Sequence, residues 1–178
     1  DAHVPLHTTE NYNGQLTNQK GIHGFWESRI PELKSEGYDY WVGRAKYIDK
    51  PINKAWDVVK ASHAAVDSVL IFERELNAIY SPDKKYSFEN RGNTIMKVYS
   101  KEYTEDYDKL LNGMVERRMR EAIITTGSLW YTAWVNAGKP NLNRFNDKDV
   151  SDSLKQANKI SEDLWKTVKS REVKGHDD

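Results

Sequence analysis

The chain has 178 residues, carries 27 basic and 27 acidic side chains for a formal charge of zero, and contains no cysteine. Neutrality argues against a stable nucleic-acid partner held by a basic surface. The missing thiols exclude disulfides and leave His, Asp and Glu as the only strong metal ligands. No apolar run approaches the ~20 residues of a membrane span, and the length fits one domain, 1–178.

In chain order, Asp1 to His7 reads as extended, because Pro5 holds its own φ and pushes Val4 out of the helical region. Thr8 to Gly14 is a polar loop. A helix beginning between Thr17 and Gly21 carries His23 and Glu27, is bent or restarted by Pro31, and stops at Gly37. Tyr38 to Ile48 has Tyr40, Trp41, Ala45 and Ile48 at helical spacing and reads as a short helix. Asp49-Lys50-Pro51 starts another, whose stripe of Trp56, Val59, His63, Val66 and Leu70 predicts one amphipathic helix to about Tyr80. Ser81 to Ser100 reads as an irregular connection with a short apolar turn at Ile95-Met96-Val98. Thr104, followed by Glu105 and Asp106, caps the longest helix, which ends at Gly138-Lys139-Pro140. Its C-terminal half is apolar on a broad face and is expected to be buried, with Trp130, Tyr131 and Trp134 as core. After a loop at 141–148, Asp149 or Ser151 caps a last helix through Leu154, Ile160, Leu164 and Val168, and a charged tail follows from Arg171. With no β alternation, the predicted fold is all-α, one multihelical domain of about five helices.

The chemistry concentrates near the start. His23 and Glu27 are four apart, so a helix places both on one face. Adding His7 makes two imidazoles and a carboxylate, and with a fourth position left to water or substrate that is the usual set for catalytic zinc. His and carboxylate ligands also accept nickel, iron or manganese. His3 reads as a surface histidine or one that supports a ligand from behind. His63 reads as a buried histidine bonded to a neighbour, and His176 lies in the tail. Arg117, Arg118 and Arg120 read as a solvated group with Glu116 and Glu121 as partners.

Asp1, Pro5-Leu6-His7 and His23-Gly24-Phe25-Trp26-Glu27 together resemble the second half of the metal motif of the zinc-dependent phospholipase C and single-strand-specific nuclease superfamily. That pattern is an aspartate, Pro-x-His, a loop, then His-x-x-Trp/Tyr-Glu/Asp. Val4 stands where the family often has Gln, Thr8 to Gly14 lacks the Gly-Gly-Asn of the nucleases, and Glu27 is the closing carboxylate of the bacterial phospholipase branch. The resemblance implies a zinc-dependent phosphodiester hydrolase acting on phospholipid or single-stranded nucleic acid. It implies export to the periplasm or beyond. It makes His7, His23 and Glu27 one complete zinc site and Asp1 a ligand of a second, binuclear site, with up to three ions in an intact protein. The general base and remaining ligands would lie in an upstream half, so the chain is expected to be the C-terminal part of a longer domain. The reading from another class is a non-catalytic helical metal-binding or scaffold domain. A third is an interaction module built on the aromatics from Tyr38 to Trp41.

Overall fold

The computed structural model describes residues 1–143 and 152–169. A 3-10 turn, Pro5–Thr8, is followed by a helical run, α1, residues 22–34. This run consists of an α turn Ile22–Gly24, a π turn Phe25–Arg29 and an α turn Ile30–Lys34, and a 3-10 turn Ser35–Gly37 closes it. Then come α2 (Pro51–His63), α3 (Val66–Ile79), a single helical turn Pro82–Lys85, strands β1 (Tyr86–Arg91) and β2 (Thr94–Tyr99), α4 (Lys101–Leu111), α5 (Met114–Asn136) and α6 (Asp152–Lys169). The chain divides into two compact units, Asp1–Val135 and Asn136–Asp178. The last helix is present as expected. Its predicted caps, the tail and His176 lie outside the described residues.

The fold is mostly helical but not all-α. β1 and β2 form an antiparallel hairpin in which Tyr86 pairs with Tyr99 and Arg91 with Thr94. Gly92, at φ +61, takes the first central position of its two-residue loop, where the type II′ turn demands a positive φ. The hairpin left no periodic signal because most of it faces solvent: Phe88 is 73% exposed and Ile95 69%.

Two predicted helices are each broken in two. The stretch from Pro51 interrupts at Ala64-Ala65, and its buried side is Val58, Ser62, Val66, Val69, Glu73 and Leu76. Two of those six are polar, and of the predicted stripe Val66 alone is among them: Val59 and Leu70 are half-buried, and Trp56 and His63 are exposed. The other helix begins earlier, where the Ser100 hydroxyl accepts the Tyr103 N–H at 3.2 Å. Thr104 is therefore buried inside α4, its hydroxyl donating to the Ser100 carbonyl at 2.7 Å, rather than capping it. Asn112 and Gly113, both left-handed, then separate α4 from α5.

Residues 38–48 are not helical. They form an extended strap running in the same direction as α5. The Glu116 carboxylate accepts the Asp39 N–H at 3.0 Å, the Ser128 hydroxyl accepts that of Lys46 at 3.1 Å, and the Thr132 hydroxyl accepts that of Ile48 at 2.8 Å. The buried residues of the C-terminal half of α5 are thus Thr125, Ser128 and Thr132. Its aromatics are not core: Trp130 is 75% exposed and Tyr131 37%. The arginines also separate. Arg118 is buried, donating to the His3 carbonyl, the Ser62 hydroxyl and Glu121, whereas Arg120 pairs with Asp39 at 2.8 Å.

The core assembles where α1, α3 and α4 meet, with Leu6 of the first turn filling it. Phe25 stacks on Tyr99 at 3.8 Å and on Tyr107 at 4.8 Å. Full burial of side chains of this size contributes about 1.5–3 kcal/mol each, and it anchors α1 from its inner face.

Candidate metal centre

Two segments deliver the site. Val4 is extended, at φ −89 and ψ 118, as its proline neighbour requires. His7 itself does not come from an extended run: Pro5 opens the 3-10 turn at the one helical position where a missing N–H costs nothing. Buried Pro5 and Leu6 pin that turn and leave His7 exposed. The second segment is α1. The Asn13 side-chain oxygen accepts the backbone N–H groups of Gly21 at 3.0 Å and His23 at 3.4 Å, capping the helix from the preceding loop. Gly14 closes that loop at φ +73, where an added Cβ would lie 2.3 Å from the Gln19 carbonyl oxygen.

The π turn follows from Pro31. In a regular helix Pro31 would offer no N–H to the Glu27 carbonyl, and its ring would collide with it. The chain widens upstream instead, with the Ile30 N–H bonded to the Phe25 carbonyl, and the helix continues through the proline. His23 and Glu27 remain one turn apart at the start of the widened stretch.

The three side chains converge. His23 Nε2 lies 2.7 Å from Glu27 Oε2 and 3.1 Å from His7 Nε2, and His7 Nε2 lies 3.5 Å from Glu27 Oε2. A tetrahedral zinc with bonds of 2.0–2.1 Å holds its ligand atoms about 3.3 Å apart, within the observed spread. Protonation points the same way. His7 Nδ1 donates to the Asp1 backbone carbonyl at 3.2 Å, since that carbonyl only accepts. Burial, seconded by His23 and the N-terminal amine, pushes the His7 pKa down against the pull of Glu27, so the ring is neutral and its Nε2 is a bare lone pair. Two acceptors, His7 Nε2 and Glu27, then face each other with no proton between them, and a single His23 proton would have to serve both. A cation at the centre satisfies all three.

The other candidates do not join. The Asp1 carboxylate is fully exposed and lies 3.9 Å from Nδ1 of His7, the ring nitrogen turned away from the cluster. The contribution of Asp1 in this structure is its carbonyl. His3 has its Nε2 buried without a hydrogen-bond partner among the described residues, and its carbonyl holds Arg118 at 3.0 Å. His63 is exposed rather than buried, and its Nδ1 donates to the Thr8 carbonyl at 3.1 Å. Among the described residues, His7, His23 and Glu27 are the one such group of metal-ligating side chains. Asn13 and the Asp1 carbonyl were missed: Asn13 reaches the helix start from eight and ten residues upstream, outside the local capping pattern, and a backbone carbonyl carries no signal.

No family model matches the chain, and neither a curated protein nor a solved structure is matched.

Proposed function

We propose that the chain carries a zinc site of a phosphodiester hydrolase, phospholipase C-like or nuclease-like. The observation that carries this reading is the convergence of His7, His23 and Glu27 on one point, with His7 oriented from behind by the Asp1 carbonyl. The donor set suits zinc: imidazole and carboxylate, two nitrogens and one oxygen. When bound there, zinc supplies Lewis acidity toward a phosphoryl oxygen and brings the pKa of water to about 7. His7 and His23 contribute neutral lone pairs. Glu27 contributes the charge that makes the site selective for a cation. The exposure of His7 and Glu27 keeps the cluster accessible to a substrate. The family resemblance adds the substrate class, phospholipid or single-stranded nucleic acid, and export as the setting.

The test is hydrolysis of both substrate classes by the full-length protein with zinc, beside His23→Ala. Cleavage lost in the variant supports the hydrolase. Tight zinc binding with no cleavage of either class transfers the site to the scaffold reading. One observation favours that second reading: the ligands join two separate segments, so an ion there also pins the first turn to α1.

A further inference from the structure

The strap and the first turns of α2 expose an unusual set of side chains. Trp41 is 83% exposed, Ile52 70%, Trp56 59% and Tyr40 44%. Between them lie Arg44, Lys46 and Lys50, all exposed and in no ion pair among the described residues. The strap lies along α5 through the N–H groups of Lys46 and Ile48, and Tyr40, Trp41, Arg44 and Lys46 on it are exposed. Ile52 and Trp56, one turn apart, face away from Val58 and Ser62, the buried side of α2. Acidic neighbours are few: Asp39 is paired with Arg120, leaving Asp49 and Asp57, with Lys60 beside Asp57.

We propose that residues 40–56 form a docking surface for an anionic lipid bilayer. Trp and Tyr settle at the head-group level with their rings toward the acyl chains. Ile52 adds aliphatic area that only an apolar phase rewards. Arg44, Lys46 and Lys50 complement lipid phosphates at the same depth. A second copy of the chain fits poorly, since a two-fold interface sets the three cations against themselves. A single-stranded nucleic acid would stack on Trp41 and Trp56 but has no use for Ile52. No helix among the described residues is long and apolar enough to cross a membrane, so the contact is peripheral. None of these residues belongs to the His7–His23–Glu27 group, and the inference does not rest on that site's chemistry.

The experiment is co-sedimentation of the full-length protein with vesicles of phosphatidylcholine alone, or of phosphatidylcholine and phosphatidylglycerol in equal parts. Binding to the mixed vesicles is expected, falling about 100-fold in R44E/K46E/K50E and less in Trp41→Ser/Trp56→Ser, with both variants keeping the parent's circular dichroism. Three results overturn it: no sedimentation with mixed vesicles, binding that the charge reversal leaves unchanged, or tighter binding to an oligothymidylate than to the mixed vesicles through the same residues.

Discussion

Two clusters of ionisable side chains in this chain use similar groups to opposite ends. In the buried one, Glu73 is 1% exposed and every contact has its donor: Lys85 at 2.8 Å, the Tyr103 hydroxyl at 2.8 Å and the Gln19 amide at 2.6 Å. Lys85 also donates to Asn77 and sits 5.2–5.6 Å from the ring centres of Tyr86, Tyr99 and Tyr103. In the exposed one, His7, His23 and Glu27 bring more lone pairs together than protons. A carboxylate met by donors on both oxygens locks a fold, and a cluster with more lone pairs than protons is built for something that arrives. The two are connected: Gln19, held by Glu73, accepts nothing back from it but anchors the loop that leads into His23.

From that contrast, the largest effect belongs to Glu73→Ala. It takes the carboxylate from a half-buried ammonium, a buried hydroxyl and a buried amide, and should cost about 3–5 kcal/mol in urea denaturation. A loss below about 1 kcal/mol would place both clusters in one class. Next comes metal. Zinc at a hundred times its dissociation constant should raise stability by about 2.7 kcal/mol, read by calorimetry, and His7→Ala/His23→Ala should abolish the gain. Gly14→Ala should cost roughly 1–3 kcal/mol through its left-handed φ and the Gln19 clash, and should lower zinc affinity with it, since the same loop caps α1.

A smaller effect is expected from His3. Burial first, then Arg118, the N-terminal amine and Lys54, hold its pKa below 6.5 against the pull of Glu121. The unfolded chain therefore takes up the proton more readily, and stability falls as pH drops through 6.5. His7 adds to this in the same direction. Melting temperatures on either side of 6.5, with chelator present, should show a slope that shrinks in His3→Gln. Smallest of all, His23→Ala in chelator should change stability by no more than about 0.5 kcal/mol, because an exposed cluster without its ion holds nothing together. A large loss there would make His23 a structural residue.

The candidate metal cluster was legible in the sequence because part of its spacing is local. His23 and Glu27 need one helical turn, and Pro5 sets the entry to His7. What spacing could not show is which ring nitrogen of His7 is free, since the Asp1 carbonyl decides that. The hairpin from Tyr86 to Tyr99 was hidden for the opposite reason. Its stability comes from Tyr99 stacking on Phe25, and from Glu89 held by Arg29 at 2.5 Å, contacts 60 or more residues apart in the chain.

Composition and local pattern by themselves determined that the chain is largely helical, that its candidate metal ligands are His and Glu, and where the helix bearing them begins to within a few residues. These depend on backbone dihedrals and on neighbours within one turn. The tertiary structure alone decided that residues 38–48 lie extended against α5, that Ser62, Glu73 and Arg118 are inside while Trp41, Trp56 and Trp130 are outside, and that the Asp1 carbonyl sits against the His7 ring. Each of those depends on whether a distant group satisfies a polar atom. A buried Glu73 is stable only with Gln19, Lys85 and Tyr103 around it, and no apolar stripe predicts that company.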